Sequence, residues 1–162
     1  MLTLCSKTHV AGLRGRDIID FFLHCDDATY QRWWPGTHLH FRTIERHAND
    51  AGNVVYFDEL VGRRRLKLHG VVTEIVPGKR LVWQLGATVR LPGRLILELD
   101  DDSAGVHVTH TLEAGFAGAG RVLDPVLRLY LDREFEREMD AHMHTEFEKL
   151  GELMRAAPSP AA

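Results

Sequence analysis

Cysteine is almost absent: only Cys5 and Cys25 occur in 162 residues. They lie in neither a CxxC nor a zinc-ribbon spacing, which argues against a disulfide scaffold, a redox dithiol or a structural zinc knuckle, and both read as reduced, buried thiols. A cationic excess is missing too, with 20 Lys and Arg against 23 Asp and Glu and a net charge of -3. Such a surface has no general attraction for phosphate backbones, so no nucleic-acid partner is expected. No apolar run approaches the length that spans a bilayer, and MLTLCSKTH lacks the charged-then-apolar layout of a secretory signal. The expected location is the cytoplasm, without a transmembrane segment. No nucleophile, phosphate-loop or metal motif stands out, and no cofactor is expected.

What is present is an ordinary globular composition, 44% hydrophobic and 27% charged, in a chain long enough to bury one core without staples. Leu2–Ala11 alternates as a first strand. In GRDIIDFFLHCDD the apolar positions Ile18, Ile19, Phe22 and Leu23 take helical spacing, and Asp26 and Asp27 offer an N-cap for a second short helix over ATYQRWW. Pro35 ends that helix and pushes Trp34 towards extended backbone.

From His38 the period changes to two. Turn signals at Asn49 to Gly52, Gly62, Pro77-Gly78, Pro92-Gly93 and Asp101 to Gly105 cut the chain into six strands: His38–His47, Asn53–Val61, Arg65–Ile75, Arg80–Thr88, Arg94–Asp100 and Val106–Phe116. Asp124-Pro125 then starts a long helix to about Arg155. Its stripe of Leu127, Leu131, Phe135, Met139, Met143 and Phe147 must lie on the concave face of the sheet.

The motifs ATYQRWWPG, VVTEIVPGKRLVW, VHVTHTLEAGFAG and the amphipathic DPVLRLYLDREFEREMDAHMHTEFEKLGELM, in that order, make the chain resemble the START-like helix-grip superfamily, in its polyketide cyclase/dehydrase and lipid-transport branch. The resemblance implies an α+β fold: a seven-stranded curved antiparallel sheet wrapped around a long C-terminal helix, with two short helices between strands 1 and 2. It also implies one domain over residues 1–156 with a disordered tail at 157–162, and a cavity between sheet and helix for a lipid, quinone or polyketide-like aromatic. Two alternatives go with it, a polyketide-type cyclase or dehydratase and a regulatory or chaperone-like interaction module. The superfamily shares no catalytic motif, so no catalytic residue is carried over.

Alternation selects the residues that face such a cavity. Trp83 shares a face with Leu81 and Leu85, and His110 falls among Val106, Val108 and Leu112, a polar anchor on an apolar face. Trp33, Trp34, Tyr56 and Tyr130 complete the candidate ligand-binding set. In NVVYFDELV both faces are equally apolar, so either Asp58 or Glu59 comes inward, and His110 with that acid is the candidate acid/base pair. His38 and His40 share a strand face, but Leu39 and Phe41 make the better core face, which turns both histidines and Arg42 to solvent. No metal site is expected there, and His142 and His144 diverge on a helix. In GRRRLKLHG, Leu66 and Leu68 take the inner face, unless a bulge near Gly70 reverses it.

Overall fold

The period-two segments close into a single sheet. In the computed structural model, which describes residues 2–86, 92–116 and 118–156, β1 (Leu2–Ala11) precedes α1 (Gly15–His24) and α2 (Asp27–Trp33). Then come β2 (His38–Glu45), β3 (Val54–Val61), β4 (Arg64–Val76), β5 (Arg80–Leu85), β6 (Gly93–Asp101) and β7 (Gly105–Ala114). A 3-10 turn over Gly118–Leu123 leads into α3 (Asp124–Tyr130) and α4 (Arg133–Ala156). The seven strands lie in the order β1-β7-β6-β5-β4-β3-β2, every pair antiparallel. The α+β helix-grip architecture read from the sequence is the one observed, with α1 and α2 between the first two strands.

Local chemistry accounts for the junctions. The Arg14 N–H donates to the Asp17 carboxylate at 2.9 Å, and the Gly15 N–H donates to Asp101 at 2.7 Å, so the start of α1 is satisfied. Gly15 must lack a side chain because a Cβ there would run into the Gly78 carbonyl oxygen in the β4–β5 turn. Asp26 caps α2 by accepting from the Thr29 N–H at 2.8 Å. After Trp34, Gly36 adopts a positive φ of 79°, and the Trp34 carbonyl accepts from both Thr37 and His38 N–H. That tight reversal drops His38 directly beneath the helix it has just left.

Two expectations about boundaries are corrected. The last helix is not continuous from Asp124: α3 ends at Tyr130, and Asp132 starts α4 afresh by accepting from the Phe135 N–H at 2.8 Å. A strong internal N-cap outweighs the continuity of the apolar stripe. The fifth strand, expected to Thr88, ends at Leu85; Thr88 and the 157–162 tail lie outside the described residues.

The core fills the space between sheet and α4. Phe135, Met139, Met143, Phe147 and Leu150 of α4 meet Val72, Leu81, Trp83, Leu97, Val106 and Val108 of the strands, all buried. Among the described residues no helix is long and apolar enough to cross a membrane.

Candidate functional site

The core is incomplete at one end. Between the concave face and α4 lies a cavity of about 250 Å³. Its floor is the sheet: Phe57 of β3, Leu66 and Leu68 of β4, Trp83 and Leu85 of β5, Leu95 and Leu97 of β6, and Leu112 of β7. Phe135, Met139, Met143 and Phe147 of α4 form the opposite wall, while Leu127, Tyr130 and Leu131 close it from α3 and the α3–α4 junction. Gly70 faces this side, and a Cβ there would press on the Phe57 ring and the Trp83 Cβ at 3.1 and 3.2 Å, so only a glycine leaves both side chains their places. The bulge suspected near Gly70 falls at Thr73 instead, where β4 shifts register against β5, and Leu66 and Leu68 keep the inner face.

The polar lining of this cavity is concentrated in Glu59, His110, His142 and Glu146. The ambiguity of β3 resolves with Phe57 and Glu59 inward. Asp58 is on the outer face, held by Arg65 Nε and Nη2 at 2.7 and 2.8 Å, and its carboxyl sits below the usual range because of that guanidinium. Tyr56 also faces outward, donating to Asp58 at 3.2 Å, and is not part of the cavity wall. Of the residues proposed from sequence, the structure therefore brings Trp83, His110, Glu59 and Tyr130 to the cavity and leaves Asp58 and Tyr56 outside it. Burial pushes the His110 imidazole down in pKa, which keeps it neutral.

Trp33 and Trp34 do not line the cavity either; they pack behind its polar end. Trp33 is buried and donates its indole N–H to the Glu146 carbonyl at 2.7 Å, tying α2 to α4. Its ring stands edge-on to His38 with centroids 4.5 Å apart. Trp34 stacks on His142 at 4.7 Å.

His38 is the largest departure from the sequence reading. It is 1% exposed, not solvated. The β2–β3 register runs His38 opposite Glu59 and His40 opposite Asp58, so Leu39 is an extra residue in a bulge. The bulge flips the facing of everything before it, and both His38 and Phe41 point inward. His40 and Arg42 do stay outside, around the Asp27 carboxylate.

Four side chains thus converge at one end of the cavity. His38 and Glu59 are cross-strand partners on β2 and β3, and His142 and Glu146, four apart on α4, project from one helix face towards them. His38 Nε2 lies 3.4 Å from Glu146 and 3.9 Å from Glu59, and His142 Nε2 lies 3.7 Å from Glu59. Tyr30 stacks flat on His38 at 3.9 Å and donates its hydroxyl to Glu59 at 2.6 Å. Burial and the Glu59 charge hold the Tyr30 phenol well above its ordinary pKa, so it stays a donor. Burial would raise Glu59, but His142 and the Tyr30 hydroxyl lower it to about 2; burial would lower His142, and the two carboxylates lift it. The sequence reading set His142 aside together with His144 and missed Glu146. The signal that was available was their i,i+4 spacing on the flank of the Met139–Met143–Phe147 stripe.

No family model and no curated protein matches the sequence. Solved structures do resemble it. A START superfamily protein from Mycobacterium smegmatis superposes with a TM-score of 0.65 at 12% identity, over 94% of this chain and 98% of that one. Protein TTHA0849 from Thermus thermophilus gives 0.65 at 12% identity, over 98% and 100% of the two chains. Major latex-like protein 151 from Panax ginseng gives 0.55 at 12% identity, over 87% and 96%. At these identities the likeness is one of fold, and the fold is START-like.

Proposed function

We propose that this START-like, helix-grip protein binds an apolar small molecule with one polar end, a lipid, quinone or polyketide-like aromatic, in the cavity between sheet and α4. The observation that carries the reading is the distribution of the lining. Leucine, phenylalanine, methionine and tryptophan cover the sheet and helix walls, and the polar groups gather with Glu59, His142 and Glu146 at one end, with His110 among them. A guest would bury its tail along β4 to β7 at roughly 25 cal/mol per Å² of apolar surface and orient its head by hydrogen bonds.

The test is native mass spectrometry of the protein with a panel of fatty acids, quinones and polyaromatic ketones. One guest per chain is expected, and Leu95→Trp, which pushes a larger ring into the cavity, should weaken it by about tenfold or more. A panel without a binder, or a binder indifferent to Leu95→Trp, would overturn the reading.

A second reading has its own support: neutral His110 is within electrostatic reach of Glu59, Glu146 and His142, which suits proton transfer in a cyclase or dehydratase. With a poly-β-ketone probe, His110→Ala would then abolish turnover while the probe stays bound. Loss of binding alone would favour the carrier.

A further inference from the structure

His38, Glu59, His142 and Glu146 offer two imidazole nitrogens and two carboxylates, one ligand atom from each lying within 4.8 Å of the others. We propose that these four side chains form a binding site for one divalent transition-metal cation of the zinc class, at the polar end of the cavity.

The separations are the first argument. A hydrogen bond brings nitrogen and oxygen to about 2.7–3.2 Å. Ligands held about 2.0–2.2 Å from one tetrahedral cation stand about 3.3–3.6 Å from each other. The cross-element distances here, 3.4, 3.7 and 3.9 Å, are too long for hydrogen bonds and close to the edges of such a coordination shell.

Unsatisfied nitrogen is the second. The His38 side chain is fully enclosed, yet both its ring nitrogens lack a hydrogen-bond partner, and so does His142 Nε2. Buried polar groups are nearly always paired, and each unpaired one is costly. A cation at the centre accepts the Nε2 lone pairs of both rings at once.

Charge is the third. Two carboxylates at the edge of an apolar cavity carry a charge of -2, which a divalent cation cancels while each imidazole binds it through a nitrogen lone pair. The set of two imidazoles and two carboxylates suits zinc and its neighbours in the first transition row more than calcium or magnesium, which take oxygen.

The surroundings hold the ligands in place. Tyr30 stacks on His38 and donates to Glu59, Trp33 walls His38 edge-on, and Trp34 stacks on His142. Orientation of ligating groups by such outer partners is a regular property of metal sites. The surface group His9, Asp102 and His107 is different in kind. Asp102 there already meets His107 at 2.9 Å and His9 at 3.2 Å and accepts from the Ala104 and Gly105 N–H groups, so its donors and acceptors are used.

Metal binding here does not depend on whether the cavity takes a guest, and its test needs none. The full chain is stripped with EDTA, exchanged into metal-free buffer and titrated with Co²⁺, then with Zn²⁺. One equivalent of Co²⁺ with the visible bands of a low-symmetry four- or five-coordinate site is expected, and Zn²⁺ should displace it. Glu146→Gln keeps the shape and removes a ligand charge; it and His142→Gln should each weaken binding by about tenfold or more. Replacing His9 and His107 by Ala should leave the stoichiometry and bands unchanged. Failure to retain an equivalent, or bands that survive both cluster variants and vanish with the His9 and His107 pair, would overturn the proposal. Circular dichroism confirms that each variant is folded.

Discussion

Tyr30, Trp33 and Trp34 leave His38 and His142 little rotational freedom, since each imidazole has an aromatic ring against its face or edge. The adjacent tryptophans at the Pro35-Gly36 break therefore serve the histidines rather than the cavity wall, and Lys149, 5.9 Å over the Trp34 ring, covers the outer side. Cys25, buried next to Asp26 at the end of α1, behaves oppositely to the exposed Cys5. Burial and the Asp26 charge push its thiol up to about 12 from 9.0. Because the folded value lies above the unfolded one, the protonated thiol contributes its full stability below the unfolded pKa. That contribution is lost as pH rises from about 9 towards 12, at roughly 1.4 kcal/mol per unit. Urea unfolding between pH 8 and 10.5 should show this fall, and Cys25→Ala should flatten it relative to wild type. Iodoacetamide at pH 8 should label one thiol, Cys5, in the native protein and both after unfolding; rapid native labelling of Cys25 would contradict its burial.

At the scale of elements, α3 is the part of the enclosure with the least support. Among its described side chains none is buried; Val126, Leu129 and Tyr130 are largely exposed, although Leu127 and Tyr130 also reach the cavity. Arg64, in the first residue of β4, fastens it: the guanidinium donates to the Tyr130 carbonyl, pairs with Asp132 at 2.9 Å, and lies over the Tyr130 and Phe135 rings at 5.5 and 5.1 Å. Arg64→Ala should release α3 with little change at the four-residue cluster. Hydrogen exchange over residues 124–132 should accelerate and guest exchange should quicken, while Co²⁺ affinity stays at the wild-type value. Equal protection of that segment in both proteins would remove α3 as the gate. This element also marks where sequence reading stops. Strand alternation, turn residues and the amphipathic stripe were enough for seven strands, their order of appearance and the inward faces of β5 and β7, because burial enforces period two there. The Asp132 cap was invisible beside a stripe that continues through it. The bulge at Leu39 was invisible too, since a one-residue insertion leaves no compositional trace yet reverses the facing of His38. Glu59 could not be separated from Asp58 by hydropathy, as both faces of β3 are apolar; the choice is made by packing against α4.

For the whole molecule, sheet and α4 act as two jaws, each contributing one histidine and one glutamate at the end where they meet. A cation bound there would join β2 and β3 to α4, and the cavity that opens from Glu59, His142 and Glu146 would see a different electrostatic sign with and without it. Metal-free, the carboxylates of Glu59 and Glu146 oppose an acidic head group; metal-loaded, the same end offers it a cation and a further coordination position. Binding of an acid-headed guest and of Zn²⁺ should therefore be positively coupled, and linkage requires the coupling to be the same whichever binds first. Calorimetry with a fatty acid and with the alcohol of equal chain length separates this from tail burial. The acid should bind about tenfold or more tighter to zinc-loaded protein than to EDTA-treated protein, the alcohol about equally to both, and Glu146→Gln should shrink the difference. Equal enhancement of acid and alcohol would mean that the cation acts by tightening the jaws rather than by meeting the head group.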